Sequence, residues 1–288
     1  MPRLRLLDHP FLLLVAAIAA LGAACGGVVQ TPTAPSAVLS LGSAPQTGAP
    51  APAADALPPT TALGATSFLA FGDSITCGVP GAFPQSALEF DFPQDSTCSY
   101  TGYPETLRGL LGQASPTQTF TVANEGRPGE EVAFAYSRLS SQLAARRPQA
   151  VLLLEGINDL NNGASISSVV NGLQQMVELA RAYNATVFVG TMFQTCYSVN
   201  PYTGRVRTNS TERIVPFNNA VRTMVAGRLN VYLVDLYTAF GTGNCAPEQG
   251  INRVGDDGLH PSPSGYGTIA STFGLAAREA LAVRGSYQ

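Results

Sequence analysis

Five short apolar runs alternate with longer segments of helical periodicity along most of the chain after residue 66. Most runs are continuous rather than alternating, which is typical of strands buried on both faces of a parallel sheet. The predicted strands cover residues 67–71, 120–123, 150–154, 186–190 and 231–235. The predicted helices cover residues 103–111, 131–146, 166–183, 213–229 and 265–283. This order predicts an α/β domain with three layers, α/β/α, built on a five-stranded parallel sheet.

Two of the predicted helices show an apolar stripe that should face the rest of the domain, because residues three or four apart share one helix face. The stripe of helix 131–146 contains Val132, Tyr136, Leu139 and Leu143. The stripe of helix 166–183 contains Val169, Leu173, Met176, Val177 and Ala180.

The first 66 residues differ in composition from the rest. Arg3 and Arg5 precede an apolar run at 11–24, which is shorter than the ~20 residues that a membrane-spanning helix needs. This pattern predicts a signal peptide over residues 1–24 and export across the inner membrane. Residues 26–66 are rich in Ala, Pro, Thr, Ser and Gly, with Asp55 as their one charged residue. They predict a disordered tether over 25–66 and leave one domain over 67–288.

Cys25 is a candidate for lipid attachment. It follows Leu21-Gly22-Ala23-Ala24, which resembles a bacterial lipobox, although Gly22 stands where a large aliphatic residue is usual. We expect a lipidated Cys25 to tether the protein to the membrane through several acyl chains, because one chain binds only weakly. The alternative is ordinary signal-peptidase cleavage, for which the small residues are also suited, and an extracellular protein.

Four cysteines remain beyond Cys25, an even number that suggests disulfides in an exported protein. They allow three pairings. We expect Cys77–Cys98 and Cys196–Cys245, because each pair brackets a loop-like insertion.

Charge and residue spacing exclude some kinds of partner. The formal net charge is −3 and no basic run is present, which argues against nucleic acid. No His/Cys cluster has metal-ligand spacing, so we expect no metal and no other cofactor. We expect the domain to be a monomer.

His260 is the one histidine outside the predicted signal peptide, since the other is His9. An imidazole suits general base work at neutral pH. Asp257 lies three residues earlier, a spacing at which its carboxylate could bind one ring nitrogen and leave the other free to take a proton. The adjacent Asp256 is a rival for this role at a less suitable spacing.

Ser74 is the matching nucleophile, at the end of the first predicted strand and directly after Gly72 and Asp73. Sites in parallel sheets lie at the carboxyl ends of strands. A serine hydroxyl needs an adjacent base, which predicts a pair with His260. The alternative is a serine that caps the next helix.

Four short motifs, in this order, resemble those of the GDSL/SGNH hydrolase superfamily. They are Gly-Asp-Ser-Ile-Thr at 72–76, Asn-Glu-Gly-Arg-Pro-Gly at 124–129, Gly-Ile-Asn-Asp at 156–159 and Asp-Gly-Leu-His at 257–260. Each motif is weak alone, but each follows a predicted strand or lies in the late loop, which strengthens the resemblance. It implies a flavodoxin-like SGNH hydrolase fold for the catalytic domain at 67–288.

The resemblance also implies residue roles. Ser74, Asp257 and His260 would form a catalytic triad, and the N–H groups of Ser74 and Gly129 with the side-chain amide of Asn158 would form an oxyanion hole. The implied activity is hydrolysis of carboxylic esters, of short acyl or acetyl groups, through an acyl-serine intermediate. The substrate would be a small-molecule, lipid or glycan ester. Two alternatives stay open: an O-acetyl-polysaccharide esterase or acyltransferase of the cell envelope, and a catalytically silent surface binding module.

Other polar residues and two insertions lie next to these motifs. We expect Asp73 and Asp159 to hold their loops rather than act as acids, and Glu155 has no assigned role. The insertions at 77–103 and 193–212 are expected to border the substrate pocket.

Overall fold

The computed structural model describes residues 62–81, 98, 102–196, 210–241 and 253–283. The signal peptide, the lipidation site Cys25 and nearly all of the tether lie outside these residues, so these assignments stay predictions. The two insertions are described only at their ends and at Cys98. Among the described helices, none combines the length and the apolar character that crossing a bilayer requires.

The sheet contains the five predicted strands, all parallel, in the order β2-β1-β3-β4-β5. The strands are β1 Ser67–Gly72, β2 Thr121–Gly126, β3 Ala150–Leu154, β4 Thr186–Gly190 and β5 Val231–Val234. β3 is buried along its whole length, as its continuous apolar run predicts. The predicted α/β fold with a five-stranded parallel sheet is confirmed.

Eight helices lie in the described part of the chain. They are α1 Ser74–Cys77, α2 Tyr103–Ala114, α3 Val132–Arg146, α4 Ile157–Asn161, α5 Ile166–Ala182, α6 Ser210–Val225, α7 Leu236–Phe240 and α8 Pro263–Leu281. The five long helices correspond to the predicted ones. Helix α8 packs on α2 and α7, whereas α5 packs on α3 and α6. These two groups are the helical layers of the three-layer architecture.

β2 is longer than predicted, because it ends at Gly126 rather than at Ala123. The polar residues Asn124 and Glu125 suggested an earlier end. However, β2 is an edge strand, so its side chains are largely only half-buried and polar residues are tolerated there. Its pairing with β1 continues until Gly72 stands opposite Gly126. The loop after β2 therefore starts level with the end of β1.

The predicted buried stripe of α5 is confirmed at all of its positions. In α3 the prediction for Tyr136 was wrong, since this side chain is 43% exposed and Ala135 is buried instead. The two helices are close, and a Cβ on Gly172 of α5 would lie 2.2 Å from Cγ1 of Val132 in α3. Val132 therefore faces α5 directly, whereas Tyr136 lies at the edge of the contact, where it lines a surface cleft with polar residues of α5 and keeps its hydroxyl near water.

A disulfide joins Cys77, the last residue of α1, to Cys98 in the first insertion, with their Cα atoms 5.2 Å apart. This is the first of the two expected pairs. Cys196 is also disulfide-bonded. Cys245, its expected partner, lies outside the described residues.

Candidate active site

Ser74, Asp257 and His260 meet beside the carboxyl end of β1. Oγ of Ser74 lies 2.9 Å from Nε2 of His260. Nδ1 of the same ring lies 2.5 Å from Oδ2 of Asp257. The structure therefore places a hydroxyl, an imidazole and a carboxylate in one hydrogen-bonded chain, as the sequence predicts.

Ser74 stands at the start of α1, directly after β1. Asp73 caps this helix, because its Oδ1 accepts a hydrogen bond of 2.8 Å from the N–H of Ile75. The alternative that Ser74 itself is the cap is therefore wrong. The short helix fixes the serine on the rigid end of a central strand and leaves its hydroxyl to the imidazole.

The turn between Asp257 and His260 orients the acid and the base. Oδ1 of Asp257 accepts hydrogen bonds from the N–H groups of Leu259 and His260, both at 2.9 Å, which leaves Oδ2 for the ring. The rival residue Asp256 is exposed. Burial acts to raise the pKa of Asp257, but the hydrogen bonds from the His260 ring and from the two N–H groups outweigh it and lower the pKa. Asp257 is thus charged at neutral pH.

Two glycines that the sequence analysis did not single out hold this turn in place. The N–H of Asp257 donates to the carbonyl of Gly81 at 3.0 Å. A Cβ on Gly255 would lie 2.4 Å from Cα of Gly81, so the two backbones are in direct contact and neither position has room for a side chain. The sequence holds no signal for this contact, because the two glycines are far apart along the chain.

Gly129 and Asn158 lie just after β2 and β3, the two strands that flank β1. Gly129 has a φ of 76°, a left-handed conformation that favours glycine. The side-chain amide of Asn158 donates a hydrogen bond of 2.9 Å to the carbonyl of Glu130. Among the described residues, the N–H groups of Ser74 and Gly129 donate to no acceptor. Both are therefore available to a substrate oxygen.

Three buried carboxyl groups lie at the ends of the same strands. Burial, with the nearby carboxylates of Asp159 and Glu130, raises the pKa of Asp73 to about 7. Burial raises the pKa of Asp159 to about 6. Burial, with Asp73 close by, raises the pKa of Glu155 well above its usual value. Asp159 accepts a hydrogen bond from the N–H of Val132 at 3.1 Å, so it holds the start of α3 as expected.

An ion pair beside Gly129 was also missed from the sequence. Glu130 follows this glycine and is buried, and its carboxylate binds the guanidinium of Arg138 in α3. The Oε1 atom of Glu130 also lies 3.8 Å from the guanidinium of Arg127. No pattern of spacing or composition marks a charged residue as buried, since such residues are usually exposed.

We expect Asp73→Asn to stabilise the protein at high pH. The pKa of this carboxyl rises from 3.8 to about 7 on folding, so the folded state binds the proton more tightly. The contribution of Asp73 to the stability of the wild type therefore falls as pH rises from 4 to 7. Asparagine still caps α1 but has no charge to bury. In thermal and denaturant unfolding, the free energy difference between variant and wild type should grow by about 4 kcal/mol from pH 4 to pH 8.

Asp235→Asn is the matched control for this experiment. Asp235 also caps a short helix, α7, but hydrogen bonds from Thr238 and Arg222 outweigh partial burial and lower its pKa. The charge of Asp235 stabilises the wild type above the usual aspartate pKa. The variant should therefore become less stable relative to the wild type as pH rises from 3 to 5. An advantage of Asp73→Asn that is the same at every pH would contradict the prediction.

The chain matches one protein-family model over a stretch that contains the whole candidate site. A model described as the GDSL-like Lipase/Acylhydrolase family matches residues 70–267, more than half of the chain. This stretch contains Ser74, Gly129, Asn158, Asp257 and His260. No curated protein sequence matches the chain.

Solved structures with a similar fold include several esterases. The lipase/acylhydrolase from Enterococcus faecalis is 20% identical with a TM-score of 0.56, and 75% of this chain and 98% of that chain are covered. A family 3 carbohydrate esterase from Clostridium thermocellum is 22% identical with a TM-score of 0.51, over 74% and 96% of the two chains. A variant of an acetyl-xylooligosaccharide esterase from Geobacillus is 22% identical with a TM-score of 0.55, and 77% of this chain and 99% of that chain are covered. At these identities the likeness shows the fold alone.

Proposed function

The chain belongs to the GDSL-like lipase/acylhydrolase family and is an ester hydrolase, and from this premise we propose that it hydrolyses short-chain carboxylic esters through an acyl-Ser74 intermediate. The observation that carries the proposal is the continuous hydrogen-bonded chain from Ser74 through His260 to Asp257. A serine hydroxyl is a weak nucleophile, and this chain supplies the base that it needs.

In the acylation step, Oγ of Ser74 attacks the ester carbonyl while Nε2 of His260 takes the hydroxyl proton. The Asp257 carboxylate accepts from Nδ1 and stabilises the charged ring. Negative charge grows on the former carbonyl oxygen, where the N–H groups of Ser74 and Gly129 and the amide of Asn158 would stabilise it. The tetrahedral intermediate collapses as Nε2 returns the proton to the leaving alcohol, which leaves the acyl group on Ser74.

In the second step, water replaces the alcohol. Nε2 of His260 takes a proton from the water as its oxygen attacks the acyl carbonyl. The second tetrahedral intermediate uses the same oxyanion donors. Its collapse releases the carboxylic acid and returns the proton to Oγ of Ser74, so the enzyme is restored with no cofactor consumed.

Hydrolysis of p-nitrophenyl acetate, butyrate and palmitate by the wild type tests the proposal, with Ser74→Ala as the blank. We expect Ser74-dependent release of p-nitrophenol, fastest with acetate or butyrate. A fluorophosphonate should add covalently to the wild type and not to Ser74→Ala, as seen by mass spectrometry of the intact protein. A preference for palmitate would overturn the short-chain part of the proposal, and hydrolysis that survives in Ser74→Ala would overturn the intermediate.

A second candidate function uses the same catalytic residues on a different substrate, an acetylated glycan. Two of the structures with a similar fold are named as carbohydrate esterases, which motivates a test with acetylated glycans. Acetate release from acetylated xylan and from acetylated peptidoglycan should be compared with that from p-nitrophenyl acetate at equal enzyme concentration. A higher kcat/KM on a glycan would identify an O-acetyl-polysaccharide esterase. Transfer of the acetyl group to an added sugar in preference to water would identify an acyltransferase.

We expect Asn158→Ala to lower kcat by about 10²–10³-fold, because the variant loses one of the three proposed oxyanion donors. KM should change little, since the donor matters most when charge has developed on the oxygen. Asn171→Ala, on the exposed side of α5, is the matched control and should keep wild-type kcat. A loss of less than threefold in Asn158→Ala would remove this amide from the oxyanion hole.

A further inference from the structure

One arginine of α3 contacts the ends of two strands and the turn that follows the second. Nε of Arg138 donates to both carboxylate oxygens of Glu130, at 2.9 and 3.0 Å. Nη1 donates to the carbonyl of Glu125 in β2 at 2.8 Å. Nη2 donates to the carbonyl of Gly72 in β1 at 3.2 Å and also binds Glu130. The guanidinium carbon lies 3.9 Å from the ring centroid of Phe71.

Glu130 links Arg138 to two of the three proposed oxyanion donors, the N–H of Gly129 and the side-chain amide of Asn158. The residue before it is Gly129, whose N–H donates to no described acceptor. Its own carbonyl accepts the side-chain amide of Asn158 at 2.9 Å. Displacement of Glu130 would therefore move the Gly129 N–H and the Asn158 amide together.

The other end of the network leads to the nucleophile. Gly72 lies two residues before Ser74, and its carbonyl accepts hydrogen bonds from Arg138 and from the N–H of Arg127 at 2.8 Å. The turn that carries Gly129 is thus joined to the end of β1 by backbone and by side chain.

Burial makes this network costly to break. The side chain of Arg138 is 16% exposed and that of Glu130 is 1% exposed. Removal of one partner of a buried ion pair is strongly destabilising, because it leaves an uncompensated charge. Without Arg138 we expect the Glu130 carboxylate, and the loop that carries it, to shift toward water. A shift of about 1 Å in the catalytic geometry costs about 100-fold in rate.

We propose that Arg138, acting through Glu130, is a positioning residue that sets the oxyanion hole against Ser74. The proposal rests on the proposed function, because it concerns the geometry of that same site. Arg138 touches no reacting atom in it. Its effect is on where the Gly129 and Asn158 donors stand when negative charge forms.

The test compares wild type, Arg138→Lys and Arg138→Met, with kcat counted per fluorophosphonate-titrated active site. We expect Arg138→Met to lower kcat and kcat/KM equally, by about 100-fold, because the lost interaction acts only in the transition state. Arg138→Lys should recover part of the loss, to about tenfold below wild type, since lysine keeps the charge but lacks the planar fork. The inhibition constant of phenylboronic acid, which forms a tetrahedral adduct with the serine, should rise by the same factors.

Arg146→Met is the matched control. Arg146 is in the same helix and binds the Glu125 carboxylate, but its side chain is 46% exposed and makes no described contact with Glu130. Its kcat and its phenylboronic acid affinity should stay within twofold of wild type. Glu130→Gln, which keeps an acceptor for Arg138, supplies a second route if Arg138→Met does not fold, and a fivefold or larger loss of both kcat and boronic acid affinity is expected.

The proposal is overturned if folded Arg138 variants keep kcat per active site within threefold of wild type. A fall in kcat with unchanged phenylboronic acid affinity also overturns it, since the oxyanion hole would then be intact. Wild-type protein without Ser74-dependent ester hydrolysis would instead refute the proposed function, so the two failures are distinguishable.

Discussion

Replacing either Ser74 or His260 with alanine should lower kcat for p-nitrophenyl acetate by about 10⁶-fold, and replacing both should lower it no further. The hydroxyl and the ring are 2.9 Å apart and act as one unit in the proton transfer. Without the imidazole, the hydroxyl keeps its proton and does not attack. Without the hydroxyl, the imidazole has no nucleophile to activate.

Ser141→Ala is the matched control for this experiment, because Ser141 is an exposed serine in α3 and lies outside the site. It should keep wild-type kcat. Circular dichroism and thermal unfolding should show that the single and double variants are folded. A double variant much slower than either single variant would mean that the two side chains act independently, in conflict with a shared proton transfer.

Asp257→Asn should lower kcat by about 10⁴-fold while leaving the backbone unchanged. Oδ1 of Asp257 accepts two backbone N–H groups, so the amide oxygen of asparagine should stay there. Its NH₂ group would then replace Oδ2 and donate to Nδ1 of His260. The ring would carry its proton on Nε2, facing Ser74, and could no longer act as the base.

Asp256→Asn removes a neighbouring charge without touching the ring, because Asp256 is exposed. Its kcat should stay within about twofold of wild type, since an exposed charge is screened by solvent. Equal losses in the two variants would refute the assignment of the triad acid.

The fold was predictable wherever burial follows from apolar sequence. The strands β3 and β4 have the predicted bounds, and the stripe of α5 is buried at every predicted position. Periodicity could not decide between Ala135 and Tyr136 in α3, because both lie at helical spacing from Val132. The packing of α3 on α5 leaves Tyr136 at the surface edge of their contact, and that arrangement is a property of the packed domain.

The triad was suggested from the sequence because its chemistry restricts the residue types, and one histidine was available. The residues that hold the site in place have no such restriction. Gly81 and Gly255 matter only because two distant backbones touch. Arg138 and Glu130 matter because the carboxylate is buried and the guanidinium is only 16% exposed, whereas most charged residues are solvated. The roles of such residues can be recognised only from the contacts that they make in the folded structure.

A protein that lacks residues 1–24 has a single histidine, and it is the ring that lies between Ser74 and Asp257. Its proton magnetic resonance spectrum therefore holds one set of imidazole signals, which needs no assignment by substitution. The proton in the 2.5 Å contact between Nδ1 and Asp257 should resonate far downfield, as protons in short charge-assisted hydrogen bonds do. Titration of these signals, before and after a boronic acid is added, would follow protonation in the resting and inhibited enzyme without an optical label.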